Sequence, residues 1–493
     1  MTSTIIALDQ STSATKALLF DTTGRLVDRT SLEHRQHYPK PGWVEHDAEE
    51  IYQNTLQVLR DLLNRQPQAK RDALCLSITN QREMIVVFER GSGKPLHHAI
   101  VWQCRRGEPL CNQLVKAGWS EQVQAITGLK IDTYFPASKI AWLLENEPEI
   151  ARKLESGEAL LGTIDTYLIY RLTRGQTFAT DQTNASRTLL YDIRELTWST
   201  DLCALFGVPE AALPEARDSS GTFGTTNLDG LLDHLIPICG VMGDSQAALF
   251  AERCFTLGMA KVTFGTGSSL LLNIGSEMRL SQNGIVTTIG WRYGGVTTYA
   301  FEGIINFTGA TIGWLRDRLR IIDDPRETEA FAEAVSDNGG VYLVPAFVGL
   351  SAPYWQSNAK AAIVGLTPAA TREHVVRAAL ESIAYQVKDV LDLMSGEAGI
   401  TMQHIHADGG MVGNRFLMQF CADLTRIVVR ASSLPELSAL GAALAGALGM
   451  GVYHSLDDLN ALAHDSVDYQ AKADPAVMRN YYAGWQAAVK QVL

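Results

Sequence analysis

The stretch Ile236-Pro-Ile-Cys-Gly-Val-Met-Gly-Asp-Ser-Gln-Ala-Ala-Leu-Phe250 lies near the middle of the 493-residue chain. Its apolar run, Ile236 to Met242, reads as a strand. Gly243 breaks the run, Asp244 follows, and the Ala- and Leu-rich sequence beyond reads as a helix. Open α/β sheets place their chemistry at such strand-to-helix junctions. A carboxylate there also serves as an ordinary helix N-cap, and the segment taken alone favours that plainer reading. The flanking sequence decides between the two.

Two hairpins of one design flank this segment. Thr4 to Asp9 and Lys16 to Asp21 are short apolar strands around a hydroxyl-rich turn, Gln10-Ser-Thr-Ser-Ala-Thr15. Met259 to Phe264 and Leu270 to Ile274 repeat the pattern around Gly265-Thr-Gly-Ser-Ser269. Such tips offer backbone N–H and hydroxyl donors to phosphate. Their repetition, one at the head of each half, predicts a duplicated domain that grips phosphate from both sides. A third glycine-rich turn, Asp408-Gly-Gly410, sits between a strand and the helix Asn414 to Asp423. Neither a P-loop spacing nor a strand-linked GxGxxG is present. The polar bend Thr79-Asn-Gln-Arg-Glu83 lies between apolar strands and predicts a ligand-facing turn. Thr183-Asn-Ala-Ser-Arg187 reads as a polar loop. The run Ala439 to Val452 is too short to span a bilayer and reads as a buried helix of small residues.

Bulk properties narrow the function. The length predicts two large domains, placed at 1–248 and 249–493. The net charge of −12 argues against a nucleic-acid partner. The seven cysteines show no CxxC and no metal-ligand spacing, as expected of free thiols in a cytoplasmic protein. No basic, apolar leader opens the sequence, and no membrane insertion is expected.

Several segments together carry a resemblance: Tyr38-Pro-Lys-Pro-Gly-Trp-Val-Glu-His46, Thr79 to Glu83, Ile100-Val-Trp-Gln-Cys-Arg-Arg106 and Thr183 to Arg187. To these are added Tyr134-x-Pro136-x-x-Lys139 and Ala361-x-Ile363-x-Gly365-Leu366. They resemble the FGGY carbohydrate kinases, within them the glycerol kinase branch. The resemblance implies an α/β fold of two actin-like, ribonuclease-H-like ATPase domains with the active site in the cleft between them. It implies ATP and Mg²⁺ as cofactors and a small polyol or sugar as substrate, with glycerol the leading name. By this resemblance Asp244 is the catalytic base, and Asp9 and Asp244 face Mg²⁺ through water. Thr12, Ser13, Lys16 and Thr266 contact the phosphates, and Gly309, Gly313, Gly410 and Asn414 shape the nucleoside pocket. Arg82, Glu83, Trp102 and Tyr134 bind the polyol, beside Ser245 and Ser269. A homodimer or homotetramer is also implied.

The chain departs from that branch at three positions. Ser245 replaces the usual Gln, Ser269 the usual Phe, and Gly313 a Gln that is frequent there. The first two changes predict a larger, more polar pocket, suited to a tetritol, pentitol or pentulose. The loop through which some relatives bind fructose 1,6-bisphosphate is replaced by Leu231-Leu-Asp-His-Leu235, so no such inhibition is expected. Two other readings of the fold are an actin-like ATP-binding sensor and a chaperone-type ATPase. The presence of Asp9, Arg82, Glu83 and Asp244 together argues against both.

Overall fold

The computed structural model describes residues 3–434, 436–463 and 465–493. Two large mixed sheets dominate it. The first has six strands in the order Thr222–Thr226, Ile236–Gly243, Ala73–Asn80, Thr4–Gln10, Ala14–Asp21 and Leu26–Glu33. Its central strands, Thr4–Gln10, Ala73–Asn80 and Ile236–Gly243, run parallel, and every other pairing is antiparallel. The central strands are buried almost throughout, which explains their continuous apolar runs. Leu26–Glu33 is an edge strand and is largely exposed.

The second sheet repeats this plan with seven strands: Val286–Tyr293, Val296–Ile305, Ser268–Gly275, Met259–Phe264, His404–Asp408, Val428–Ser432 and Ser466–Tyr469. Again a hairpin strand, here Met259–Phe264, leads into two parallel neighbours, and the remaining pairings are antiparallel. The duplication read from the two hairpins therefore extends across both sheets.

The halves are joined through two helices. Leu437–Gly449 lies against the first sheet, and Asp244–Ala251 packs on that helix and on strands of the second sheet. Glycine makes this contact possible. A Cβ at Gly441 would overlap the Ala247 carbonyl oxygen, and one at Gly446 would overlap Ser77 Oγ. The position between residues 248 and 249 falls inside the Asp244–Ala251 helix. One apolar cluster draws on both halves: Ile5, Leu18 and Phe20 share it with Leu271, Trp291 and Leu444. Among the described residues, no helix is long and apolar enough to cross a membrane.

A smaller antiparallel sheet includes Glu45–His46, Ala99–Ile100, Ile85–Glu89 and Ala159–Thr163. The chain leaves the first large sheet at Asn80 and enters this small sheet at Ile85. The four residues between, Gln81 to Met84, form the bend; it overlaps the expected turn Thr79 to Glu83, whose first two residues instead close the Ala73–Asn80 strand.

Candidate active site

Asp244 is the first helical residue after the Ile236–Gly243 strand, with Gly243 in the N-cap position. Its carboxylate accepts a hydrogen bond from the adjacent Ser245 N–H at 2.6 Å and meets Arg82 Nε at 3.1 Å. The side chain is 41% exposed, which leaves it open to a ligand. The plain N-cap reading is thereby corrected: the glycine before it occupies the cap. The turn is fixed from beneath. Gly243 N–H donates to Thr183 Oγ1 at 2.9 Å, and that hydroxyl donates to the buried Asp181 at 2.8 Å. A side chain at Gly243 would press within 2.8 Å of the Arg82 Cγ and Cδ atoms, so glycine lets the arginine lie across the turn.

Arg82 and Glu83 project from the bend between sheets, and both are buried. Glu83 adopts a left-handed backbone, φ 62°. Arg82 donates to Gln246 Oε1 at 3.1 Å and to Glu302 Oε1 at 2.7 Å. Arg187 donates to Glu83 at 2.6 Å and pairs with the other Glu302 oxygen at 2.5 Å. Arg82 Nε lies 3.9 Å from Glu83, so two guanidinium groups and two carboxylates alternate in a buried ring. Burial pushes the Glu302 carboxyl up, but Arg187 and Arg82 outweigh it and hold the group at about 2. For Glu83 burial prevails over the same two arginines, and its carboxyl lies above the usual range. Lys139, fully buried, donates to the backbone carbonyls of Glu83 at 3.2 Å and Tyr134 at 2.6 Å. Burial drives its ammonium down to about 7 despite Glu83 nearby.

The Thr183–Arg187 segment, expected as a polar loop, is instead buried and begins within the one-turn helix Gln182–Ala185. Asp181 caps that turn, accepting from the Thr183 and Asn184 N–H groups at 2.9 Å each. Every polar side chain is turned inward to a partner. Thr183 holds Gly243, Asn184 exchanges hydrogen bonds with Asn80 at 2.8 and 3.1 Å, and Arg187 closes the ion ring. Buried polar groups persist because each is paired in this way.

Beside the ring, Trp102 and Tyr134 stand 5.5 Å apart with their planes tilted by 56°. Trp102 Nε1–H donates to Thr12 Oγ1 at 3.1 Å, which ties this aromatic wall to the first hairpin tip. Arg82, Glu83, Trp102, Tyr134 and Asp244 all line a cavity of about 760 Å³. A second cavity of about 600 Å³ is lined by Asp9, Lys16, Asp408 and Gly409. Asp244, Ser245, Thr263 and Ser269 line both. A carboxylate, an aromatic-walled cavity and a glycine-rich polar cavity therefore meet at one point.

Residues 4–251 match the N-terminal domain of the FGGY family of carbohydrate kinases, and residues 260–450 match its C-terminal domain. The chain belongs to the FGGY carbohydrate kinases. It is 47% identical to glycerol kinase 1 of Thermotoga maritima over 489 residues, 99% of each chain. It is 46% identical to the glycerol kinase of Carboxydothermus hydrogenoformans over 485 residues, 98% of this chain and 97% of that one. A crystal structure of Plasmodium falciparum glycerol kinase with ADP superposes with a TM-score of 0.96 at 37% identity, covering 100% of this chain and 98% of that one. The gluconate kinase of Lactobacillus acidophilus, at 20% identity and a TM-score of 0.89, shares the fold; 99% of this chain and 97% of that one are covered.

In this FGGY kinase the remaining expected site residues fall into two groups. Asp9 and Lys16 face each other across the first hairpin, with Lys16 Nζ 3.4 Å from Asp9 and 2.6 Å from Glu436. Burial pushes Asp9 up to about 6, against the pull of Lys16 and with help from Glu436 and Asp244. Ser13 is exposed at that tip. Thr266, exposed at the second tip, accepts the Thr308 and Ala310 N–H groups at 3.0 Å each. Gly309 N–H bonds Gly265 O at 3.0 Å, and its Cα face lies close to Met411. Gly409, φ 99°, packs on the Phe264 backbone, so the Asp408-Gly-Gly turn, the tip and Gly309 adjoin. Gly313 and Gly410 have open space where a side chain would be. Asn414 caps the Arg415–Thr425 helix, accepting from Leu417 N–H at 2.9 Å and donating to Thr328 at 3.1 Å.

Glu302 and Glu436 escaped sequence reasoning. Glu302 is a lone charge in the apolar strand Val296–Ile305, and an unpartnered carboxylate in such a run was the available signal. Glu436, φ 56°, precedes the Leu437–Gly449 helix and takes both Lys16 and Arg29.

Proposed function

We infer that this FGGY kinase transfers the γ-phosphoryl group of ATP to a primary hydroxyl of glycerol, forming glycerol 3-phosphate and ADP. The observation that carries the reading is the place of Asp244, at the seam of a polyol-type cavity and a polar cavity flanked by two hairpin tips. The names of its full-length relatives supply the substrate. In this reading Arg82 donates and Glu83 accepts hydrogen bonds from vicinal hydroxyls, and Trp102 and Tyr134 cover the carbon chain. Asp244 takes the proton of the attacking hydroxyl. That oxygen bonds to the γ-phosphorus as the bond to the β,γ-bridging oxygen breaks, and ADP leaves. Arg82 at 3.1 Å keeps the Asp244 carboxylate aimed.

The donor set suits Mg²⁺ carried chiefly by phosphates. Among the described residues no group of three or more ligating side chains is assembled to hold a metal by itself. Asp9 and Asp244 remain as outer carboxylates, as expected for a cation that keeps several waters. Bound there, Mg²⁺ neutralises charge on the β- and γ-phosphates. Thr12, Ser13 and Thr266 stand at the tips to receive phosphate oxygens, and Gly309, Gly313, Gly410 and Asn414 to frame the nucleoside.

A longer polyol or a ketose is the second reading. Ser245 and Ser269 line both cavities, and the Ser269 hydroxyl is buried without a partner among the described residues. The test is ADP release across glycerol, erythritol, pentitols and ketoses, with Asp244→Asn as the blank. Glycerol is expected to give the highest kcat/KM, and Asn to lower kcat by at least about 100-fold, as for loss of a general base. ADP release that no polyol stimulates would overturn the kinase reading, and a pentitol preference would select the second. The free, buried state of all seven cysteines supports a cytoplasmic setting. Light scattering tests the homodimer or homotetramer.

A further inference from the structure

The ion ring around Arg82 is not built by one half of the molecule. Arg82, Glu83 and Arg187 come from the first half, whereas Glu302 arrives on a strand of the second sheet. Its carboxylate has no exposed surface and is spent on two guanidinium groups, Arg82 at 2.7 Å and Arg187 at 2.5 Å. Arg82 in turn reaches Asp244 through Nε at 3.1 Å and Gln246 through a terminal nitrogen at 3.1 Å. The Arg82 fork is therefore held from both halves, and its shortest contact, at 2.7 Å, is with an anion that the second half delivers.

We propose that Glu302 is a positioning residue through which docking of the second half orients Arg82 and Arg187, and so sets polyol affinity. The inference rests on the polyol reading of the Arg82 site. Glu302 borders the polyol cavity, but its carboxylate has no exposed surface and is turned to the two arginines. It acts by fixing two long side chains that otherwise have many rotamers, Arg82 through a charge-assisted hydrogen bond and Arg187 through a close ion pair. Three consequences separate this role from simple structural support. The loss falls on polyol and not on nucleotide, it follows the carboxylate and not the volume, and a shortened carboxylate restores part of it.

The experiment compares wild type with Glu302→Gln, which keeps shape and removes charge, and with Glu302→Asp, which keeps charge and draws it back. Calorimetry measures glycerol and ADP affinity separately, so binding is read without turnover, while ADP release by wild type on glycerol tests the kinase reading itself. Glu302→Gln is expected to weaken glycerol binding about tenfold or more, the scale of one lost charge-assisted contact. ADP affinity is expected to stay within about twofold, and Glu302→Asp to lie between the two for glycerol. Should Glu302→Gln fail to fold, Glu302→Asp carries the same comparison against wild type. Equal losses for glycerol and ADP, or unchanged glycerol affinity in a folded variant, would overturn the proposal.

Discussion

His46 is buried behind Gln81, edge-on to His34 at 4.6 Å and with Nδ1 3.4 Å from Gln81 Nε2. Burial, with His34 and His37 adding repulsion, lowers its imidazole from 6.5 to about 3. Between those values the unfolded chain binds a proton that the folded chain does not. Stability from this residue is thus present above about pH 6.5 and is lost as pH falls toward 3. His46→Gln is expected to flatten the acid side of the profile. Urea midpoints at pH 7, 6 and 5 read this directly, with wild type losing up to about 1.4 kcal/mol per pH unit more than the variant. Parallel profiles would reject His46 as the source. At this scale the sequence marked Asp244, Arg82 and Glu83 because polar groups stood out at the ends of apolar strands. Lys139 was visible only as part of a family pattern, since its role depends on two carbonyl oxygens that no spacing reveals.

Helix Leu437–Gly449 was legible as buried because it carries almost no polar side chain. What it covers was not legible. Gly441 lies against the Ala247 carbonyl of the Asp244–Ala251 helix, with no room for a Cβ. Gly441→Ala is expected to push the helix that carries Asp244 away from its support, lowering kcat and costing about 1–3 kcal/mol, the range of overpacked cores. Thermal unfolding and steady-state kinetics check both effects, and a variant with wild-type kcat would show that the helix pair is slack. Gly396, on the long helix Arg372–Ala398, has open space for a Cβ and is the natural control.

Each half donates a helix that shields the other's sheet, and one apolar cluster is common to both. Residues 1–255 expressed alone would leave Ile5, Leu18 and Cys75 without the cover of Leu440 and Leu444. That fragment is expected to show no cooperative unfolding, and co-expression with residues 256–493 to restore it. A separately folded fragment with a sharp transition would contradict the shared core. The proposed site follows the same division, because Asp244 and Arg82 lie on the first-half chain while Glu302 and Ser269 lie on the second sheet.

By itself the sequence determined the strand-to-helix junction at Asp244, the paired hairpins and a polar bend within Thr79 to Glu83. These are local patterns, in which hydrophobic periodicity and turn chemistry act over a few residues. Only the tertiary structure decided that Thr183–Arg187 is a buried girder, that Asn414 caps a helix, and that Glu302 completes the charge ring around Arg82. The physical reason is distance along the chain. Arg82 and Glu302 are 220 residues apart, and a buried charge declares its partner only when both sheets have brought the pair out of water.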